Sequence, residues 1–215
     1  TAIKNLDVIY SNDTDELLPT AMLHAADGRL RLRNILQHPF FNRYDVIIVD
    51  SKGATGVMTE LSLLSSTGNV MGVVKPILPD VREFIRGSLH MLTRLKTYEN
   101  YGIRLPDISI LVNCIENTLL DREAMDGLAA IINEKHYDAS ALGNRDVYRL
   151  LDTRIEALDI FKLGHVKQQP VHRLEYKTRR KGPAAAVTMH DLASELFPEW
   201  QSHFSDVLTR EVRHV

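Results

Sequence analysis

Tyr44-Asp45-Val46-Ile47-Ile48-Val49-Asp50-Ser51-Lys52-Gly53 is the stretch on which the reading of this 215-residue chain turns. The apolar run has no polar alternation, which predicts a strand over Asp45–Asp50 buried on both faces, as in a parallel sheet. That strand empties into Asp50 and, three residues later, Gly53. A carboxylate fixed at a strand end suits Mg²⁺-nucleotide chemistry: Asp50 would hold the ion through water and position a γ-phosphate. Gly53 would let the following loop approach and sense that phosphate. A plainer reading stands beside this one, because a hydrophobic strand ending in aspartate also serves as a helix cap in many α/β proteins. The usual companion, a glycine-rich phosphate loop ending in Gly-Lys-Ser/Thr, occurs nowhere in the chain. Lys52-Gly53-Ala54-Thr55-Gly56 has the wrong order and spacing for one.

Outward from this stretch, strands and helices alternate. Leu6–Tyr10 is a short strand candidate ending in the turn-prone Ser11-Asn12-Asp13, and helical stretches follow at about Asp15–Ala26 and Arg29–Gln37. Beyond Asp50 come a helix near Val57–Ser65, an apolar strand over Asn69–Lys75, and a long helix from Asp80 to about Tyr98. Strand Asp107–Asn113, helix Asp121–Lys135 and strand Val147–Ile155 continue the pattern, and helices at Val187–Leu196 and Glu199–Arg213 close it. Strands of five to seven residues alternating with helices predict an α/β fold: a mostly parallel sheet with helices on both faces.

Composition narrows the function classes. A net charge of −2 means that any nucleic-acid surface is a local patch and not a global field. The single cysteine, Cys114, excludes an internal disulfide framework and fits a reducing cytoplasm. No apolar run approaches the roughly 20 residues that span a bilayer. No signal peptide opens the chain, which begins at Thr1 and reads as a piece of something longer. The nine histidines show no metal-ligand spacing, and no serine, histidine and aspartate constellation suggests hydrolytic nucleophilic catalysis.

Three further features carry two readings each. Asn113 ends its strand at the carboxyl edge of the sheet, where open α/β folds bind ligands. Its amide could donate to and accept from a purine ring, or simply cap a turn. Arg82 and Arg86 share a helix face, as a dimer contact, an arginine reaching a partner's nucleotide, or a solvated surface. From Lys162 to Lys181 seven basic residues stand against one acid, Glu175, with the densest part at Lys177, Arg179, Arg180 and Lys181. Such a loop suits salt-sensitive, sequence-independent DNA binding, or is a solvated loop. The tail stripe Leu196, Trp200, Phe204, Val207, Leu208 and Val212 would dock on its own domain more readily than on a membrane, since Arg210 and Arg213 are its only firm cations.

In order, these pieces resemble the ParA/MinD group of deviant Walker ATPases, and ParA-like partition proteins of plasmids and integrative elements most closely. Tyr44–Gly53 looks like that family's Walker B strand and turn, with Ser51-Lys52-Gly53 in place of the commoner Thr-Pro-Pro. Asn69–Pro79 with Arg82–Gly87 is similar to the next strand and helix, and Ile108–Asn113 to the strand whose end approaches adenine. Leu163-Gly164-His165 through Gln169-Pro170-Val171 resembles the segment before the last helix, and Glu156 stands where many relatives place a proline that contacts the base.

The resemblance implies a three-layer, P-loop NTPase-like (Rossmann-like) single domain over 1–215, lacking the P-loop strand and helix, with 199–215 a C-terminal helix. The parent protein would be a cytoplasmic, nucleoid-associated ATPase whose ATP and Mg²⁺ dimerise it onto nonspecific DNA beside a DNA-bound partition partner. Asp50 would then be the catalytic and Mg²⁺-positioning residue, Ser51, Gly53 and Asn113 would bind nucleotide, and Lys177, Arg179, Arg180 and Lys181 would bind DNA. This chain alone, without the phosphate loop, would neither hydrolyse ATP nor hold it tightly. In the family a strand from the missing portion lies inside the sheet beside the Asp50 strand, so its loss should expose apolar edges. A MinD-like positioning ATPase at a membrane and a noncatalytic module of ParA-like shape are the competing readings.

Overall fold

The computed structural model describes residues 5–11, 13, 15–51, 55–67 and 70–206. The chain divides into two compact units: Thr1–Thr67 with Thr97–Leu105, and Gly68–Lys96 with Pro106–Val215.

The first unit is helical, with α1 (Leu17–His24), α2 (Arg31–Leu36), a 3₁₀ turn at Pro39–Arg43, and α3 (Val57–Ser65). The Asp13 carboxylate accepts the N–H groups of Leu17 (3.0 Å) and Leu18 (2.7 Å), which satisfies two of the donors that any helix start leaves over. A Cβ at Gly28 would collide with the Met22 carbonyl, so the turn between α1 and α2 closes only around glycine. α3 buries Leu61, Leu63 and Leu64 and, with them, the Glu60 carboxylate, only 2% exposed. A buried charge survives only when paired. Arg29, in the turn before α2, supplies a partner at 2.5 Å, and Arg33 donates to the Leu64 carbonyl at 3.3 Å.

Two expectations fail in this unit. Neither Asp45–Asp50 nor Leu6–Tyr10 is a strand: both lack regular secondary structure, and neither enters the one sheet found among the described residues. Val46, Ile47, Ile48 and Val49 are 37%, 42%, 83% and 41% exposed, where a strand buried on both faces was expected. Among the described residues neither segment has a strand partner, and a strand needs a partner for its backbone groups and cover for its side chains. The two segments are tied through Tyr44, whose hydroxyl donates to the Asp7 carboxylate at 2.7 Å.

The second unit is the α/β part. β1 (Val70–Val74), α4 (Leu78–Leu95), β2 (Ile108–Ile115), α5 (Leu119–Asn133), β3 (Tyr148–Glu156), α6 (Asp159–Lys167) and α7 (Ala185–Leu196) follow in that order. The three strands form one parallel sheet ordered β1-β2-β3. β2 lies in the middle, and its run Ile108–Val112 is buried throughout, as a central parallel strand requires.

α4 opens with Pro79 and Asp80 in its first turn, where a missing N–H and a negative charge are both favourable. Its buried stripe Val81, Ile85, Leu92 and Leu95 faces the sheet side on which Tyr148 lies. Tyr148 donates to the Ile85 carbonyl at 3.0 Å, and burial pushes its hydroxyl pKa up to about 12. On the opposite face Leu111, Leu151 and Ile155 pack against Phe161 of α6 and Met189, Leu192 and Leu196 of α7. Helices therefore cover both faces of this sheet. Leu196, the first residue of the apolar tail stripe, joins this core, and Trp200 stacks on Phe197 with centroids 5.4 Å apart. Val207, Leu208 and Val212 lie outside the described residues. No described helix is long and apolar enough to cross a membrane.

Candidate functional site

All three strands run the same way, so their carboxyl ends, near Val74, Ile115 and Glu156, share one edge of the sheet. Between β2 and β3 that edge is shaped by two irregularities. Ile110 pairs with Leu150 but Val112 pairs with Arg154, so β3 carries two extra residues there. Their N–H groups are not orphaned: Glu195 of α7 accepts from Asp152 at 2.7 Å and from Thr153 at 2.9 Å. Burial pushes the Glu195 carboxyl up, but those N–H groups and Arg149 outweigh it and hold the group below its ordinary range.

Further along, Val112 pairs with Arg154 and Ile115 with Glu156, so β2 has one extra residue. It falls where Cys114 adopts φ 61°, a left-handed conformation, and the Asn113 side-chain oxygen accepts the Cys114 N–H at 2.9 Å. The strand then resumes at Ile115, and Thr118 and Asp121 close a reciprocal capping box at the start of α5. Asp121 also accepts the Glu116 N–H at 2.8 Å, fixing the turn that carries Asn117.

These features frame a cleft of about 220 Å³ at the carboxyl edge. Ile115, Met125, Leu158 and Phe161 supply its apolar lining. Asn117, Arg154, Glu156 and Thr188 supply its polar groups. Glu156 is the best anchored of these. Its Oε1 accepts from Asn117 Nδ2 at 3.2 Å and its Oε2 from Arg180 Nη1 at 3.3 Å. Arg180 also donates to Glu175 at 3.1 Å, and Glu175 in turn accepts the Ala185 N–H at the start of α7 at 2.7 Å. A chain of charge-assisted bonds thus fastens the basic loop to the end of β3.

The residues singled out in the sequence fall as follows. Asp50 and Ser51 belong to the first unit, are exposed, and lie outside any strand; Gly53 lies outside the described residues. No group of three or more His, Cys, Asp or Glu placed to hold a metal occurs among the described residues. Asn113 sits near the end of β2 as expected, but its amide oxygen is bound to the adjacent backbone, and the cleft is lined by Asn117 instead. Lys177, Arg179 and Lys181 are exposed, whereas Arg180 is half-buried and bound to two carboxylates. Glu156 and Arg180 thus belong together, a pairing 24 residues apart that spacing alone does not reveal.

A wider hollow of about 560 Å³ in the first unit is lined by Ile35, Phe40 and Phe41 beside Asp27 and Arg31. Those two charges pair with each other at 2.6 Å, so they do not converge on the hollow as the polar groups converge at Glu156. Comparison with protein-family models, with curated proteins and with solved structures finds no match for this chain.

Proposed function

We propose that this chain is part of a ParA-like, nucleotide-responsive DNA-binding protein, and that its second unit receives the base of a nucleotide in the Glu156 cleft. The observation that carries the reading is the cleft's position: it opens at the carboxyl edge of a wholly parallel sheet with helices on both faces. In open α/β sheets that edge is where ligands bind. Whole drug-sized ligands occupy roughly 300–1,000 Å³. About 220 Å³ suits a ring system, with the remainder of the nucleotide outside.

Exposed Lys177, Arg179 and Lys181 would meet DNA phosphates, while Arg180 secures their loop to the site. Ligand at Glu156 and phosphate at the basic loop would then act on one bonded segment, which is what a nucleotide-responsive DNA contact needs. ATP hydrolysis, dimerisation and a DNA-bound partner rest on the family resemblance alone.

Calorimetric titration of the chain with ADP and with GDP tests the reading. Saturable binding of at least one, abolished by Thr188→Trp at the cleft wall, is expected. Absence of binding to both, at millimolar concentration and with the fold intact by circular dichroism, overturns it.

A further inference from the structure

We infer that Glu156 makes this cleft selective for a guanine-type base over adenine, an inference that rests on the base-binding reading above. The ParA resemblance implies adenine, whereas the chemistry of the cleft points elsewhere. A carboxylate offers acceptors and no donor, with about four lone-pair positions on its two oxygens. At Glu156 one position on each oxygen is taken, by Asn117 on Oε1 and by Arg180 on Oε2. Each oxygen keeps further accepting capacity, and the two existing bonds, approaching from different elements, restrain the plane of the group. Its side chain is 31% exposed, so the carboxylate remains reachable from the cleft it lines.

The guanine edge presents two adjacent donors, the ring N1–H and the exocyclic amine, which match two carboxylate oxygens side by side. Adenine presents one donor, its exocyclic amine, next to a ring nitrogen lone pair. Against Glu156 that lone pair would face an oxygen lone pair, so the wrong base is repelled as well as less well bound. A site built to accept hydrogen bonds discriminates by up to 10⁴–10⁵-fold when fully enclosed. A partly exposed carboxylate should give about ten- to a hundredfold.

The deciding substitution is Glu156→Gln. Glutamine keeps the length but has one acceptor oxygen, so it keeps the bond to Asn117 or the bond to Arg180 and not both; it places one acceptor beside one donor, which complements adenine's edge. The whole chain is titrated with GDP and ADP, before and after substitution, with circular dichroism as the folding control. The expected result is a GDP preference of at least about tenfold that falls or reverses in Glu156→Gln, driven by weaker GDP and stronger ADP binding. Equal or tighter ADP binding by the unsubstituted chain overturns the inference while leaving the base-binding reading in place. So does an unchanged GDP-to-ADP ratio in the variant. Binding of neither nucleotide overturns both. Stronger ADP binding in the variant cannot arise from a merely disrupted fold, so it separates selection by Glu156 from a structural role for its bonds to Asn117 and Arg180.

Discussion

Val46–Val49 and Ile108–Val112 are two apolar runs of nearly the same character, and their fates are opposite. The second is the central strand of a parallel sheet, paired on both sides, with Ile110 fully buried. The first has no strand partner among the described residues, and Ile48 is 83% exposed. Local composition supplies a tendency to extend; a neighbour on each edge decides whether the tendency becomes a strand. The same contrast separates the two candidate sites, since Asp50 follows the unpaired run while Glu156 ends a paired one.

The sharpest way to break the contrast is to truncate both runs. Ile110→Ala should cost about 3 kcal/mol in urea unfolding, from lost burial plus the cavity it leaves. Ile48→Ala should stay within about 0.5 kcal/mol, as for other exposed positions. Comparable losses would mean that Val46–Val49 is covered in solution. Amide hydrogen exchange gives the same comparison without substitution: strong protection at Ile110–Val112 and little at Ile47–Val49.

Charges tied into each unit should have effects nearly as large. Arg29→Ala removes a charge partner of the buried Glu60 carboxylate and should cost about 3 kcal/mol, with much of that recovered when Glu60→Leu is added. Failure of the second change to recover stability would show that Arg29 acts through packing. In the sheet unit, Glu195→Ala removes the acceptor for two bulge N–H groups and should cost about 2 kcal/mol. The Glu195 pKa is lowered in the folded state, so its contribution is present above the ordinary value of 4.5 and is lost as pH falls. Glu195→Gln should therefore flatten the acid limb of the stability profile. Tyr148 has the opposite sign: its pKa is raised from 10.0 to about 12, so its stabilisation holds below pH 10 and is lost as pH rises through that window. Tyr148→Phe should remove that alkaline limb.

The smallest structural effect belongs to the basic loop. Lys177→Ala, Arg179→Ala and Lys181→Ala together should leave the unfolding midpoint nearly unchanged. They should lower the salt slope of nonspecific duplex binding by roughly 0.9 for each DNA phosphate no longer neutralised. An unchanged slope would remove the DNA assignment.

Much of the sheet unit could be read directly from the sequence. Asn69–Lys75, Asp107–Asn113 and Val147–Ile155 correspond closely to β1, β2 and β3, and the long helix from Asp80 corresponds to α4. These segments are strongly patterned, and their neighbours are present in the chain. α6 escaped notice because Gly164 sits in its middle, where glycine ordinarily weakens a helix. The site is close-packed all the same, since a Cβ there would come 3.1 Å from the Gln169 carbonyl oxygen. The cleft was only half legible. Asn113 looks like the end of a strand, but the left-handed turn at Cys114 lets β2 continue to Ile115, which brings Asn117 to the edge in its place. A non-glycine residue in that conformation leaves no mark in local composition. Arg180 read as one of four equivalent cations because nothing in a linear run tells which of them folds back onto acids.

Glu195 has one more consequence. Because a single side chain from α7 answers two amides of β3, that helix cannot slide along the strand without stranding both donors. Thr188 and Glu156, which lie on those same two elements, are thereby held at a set spacing before any guest arrives. A recess preorganised in this way loses little freedom on filling, so its affinity should be governed by chemical match and hardly at all by accommodation.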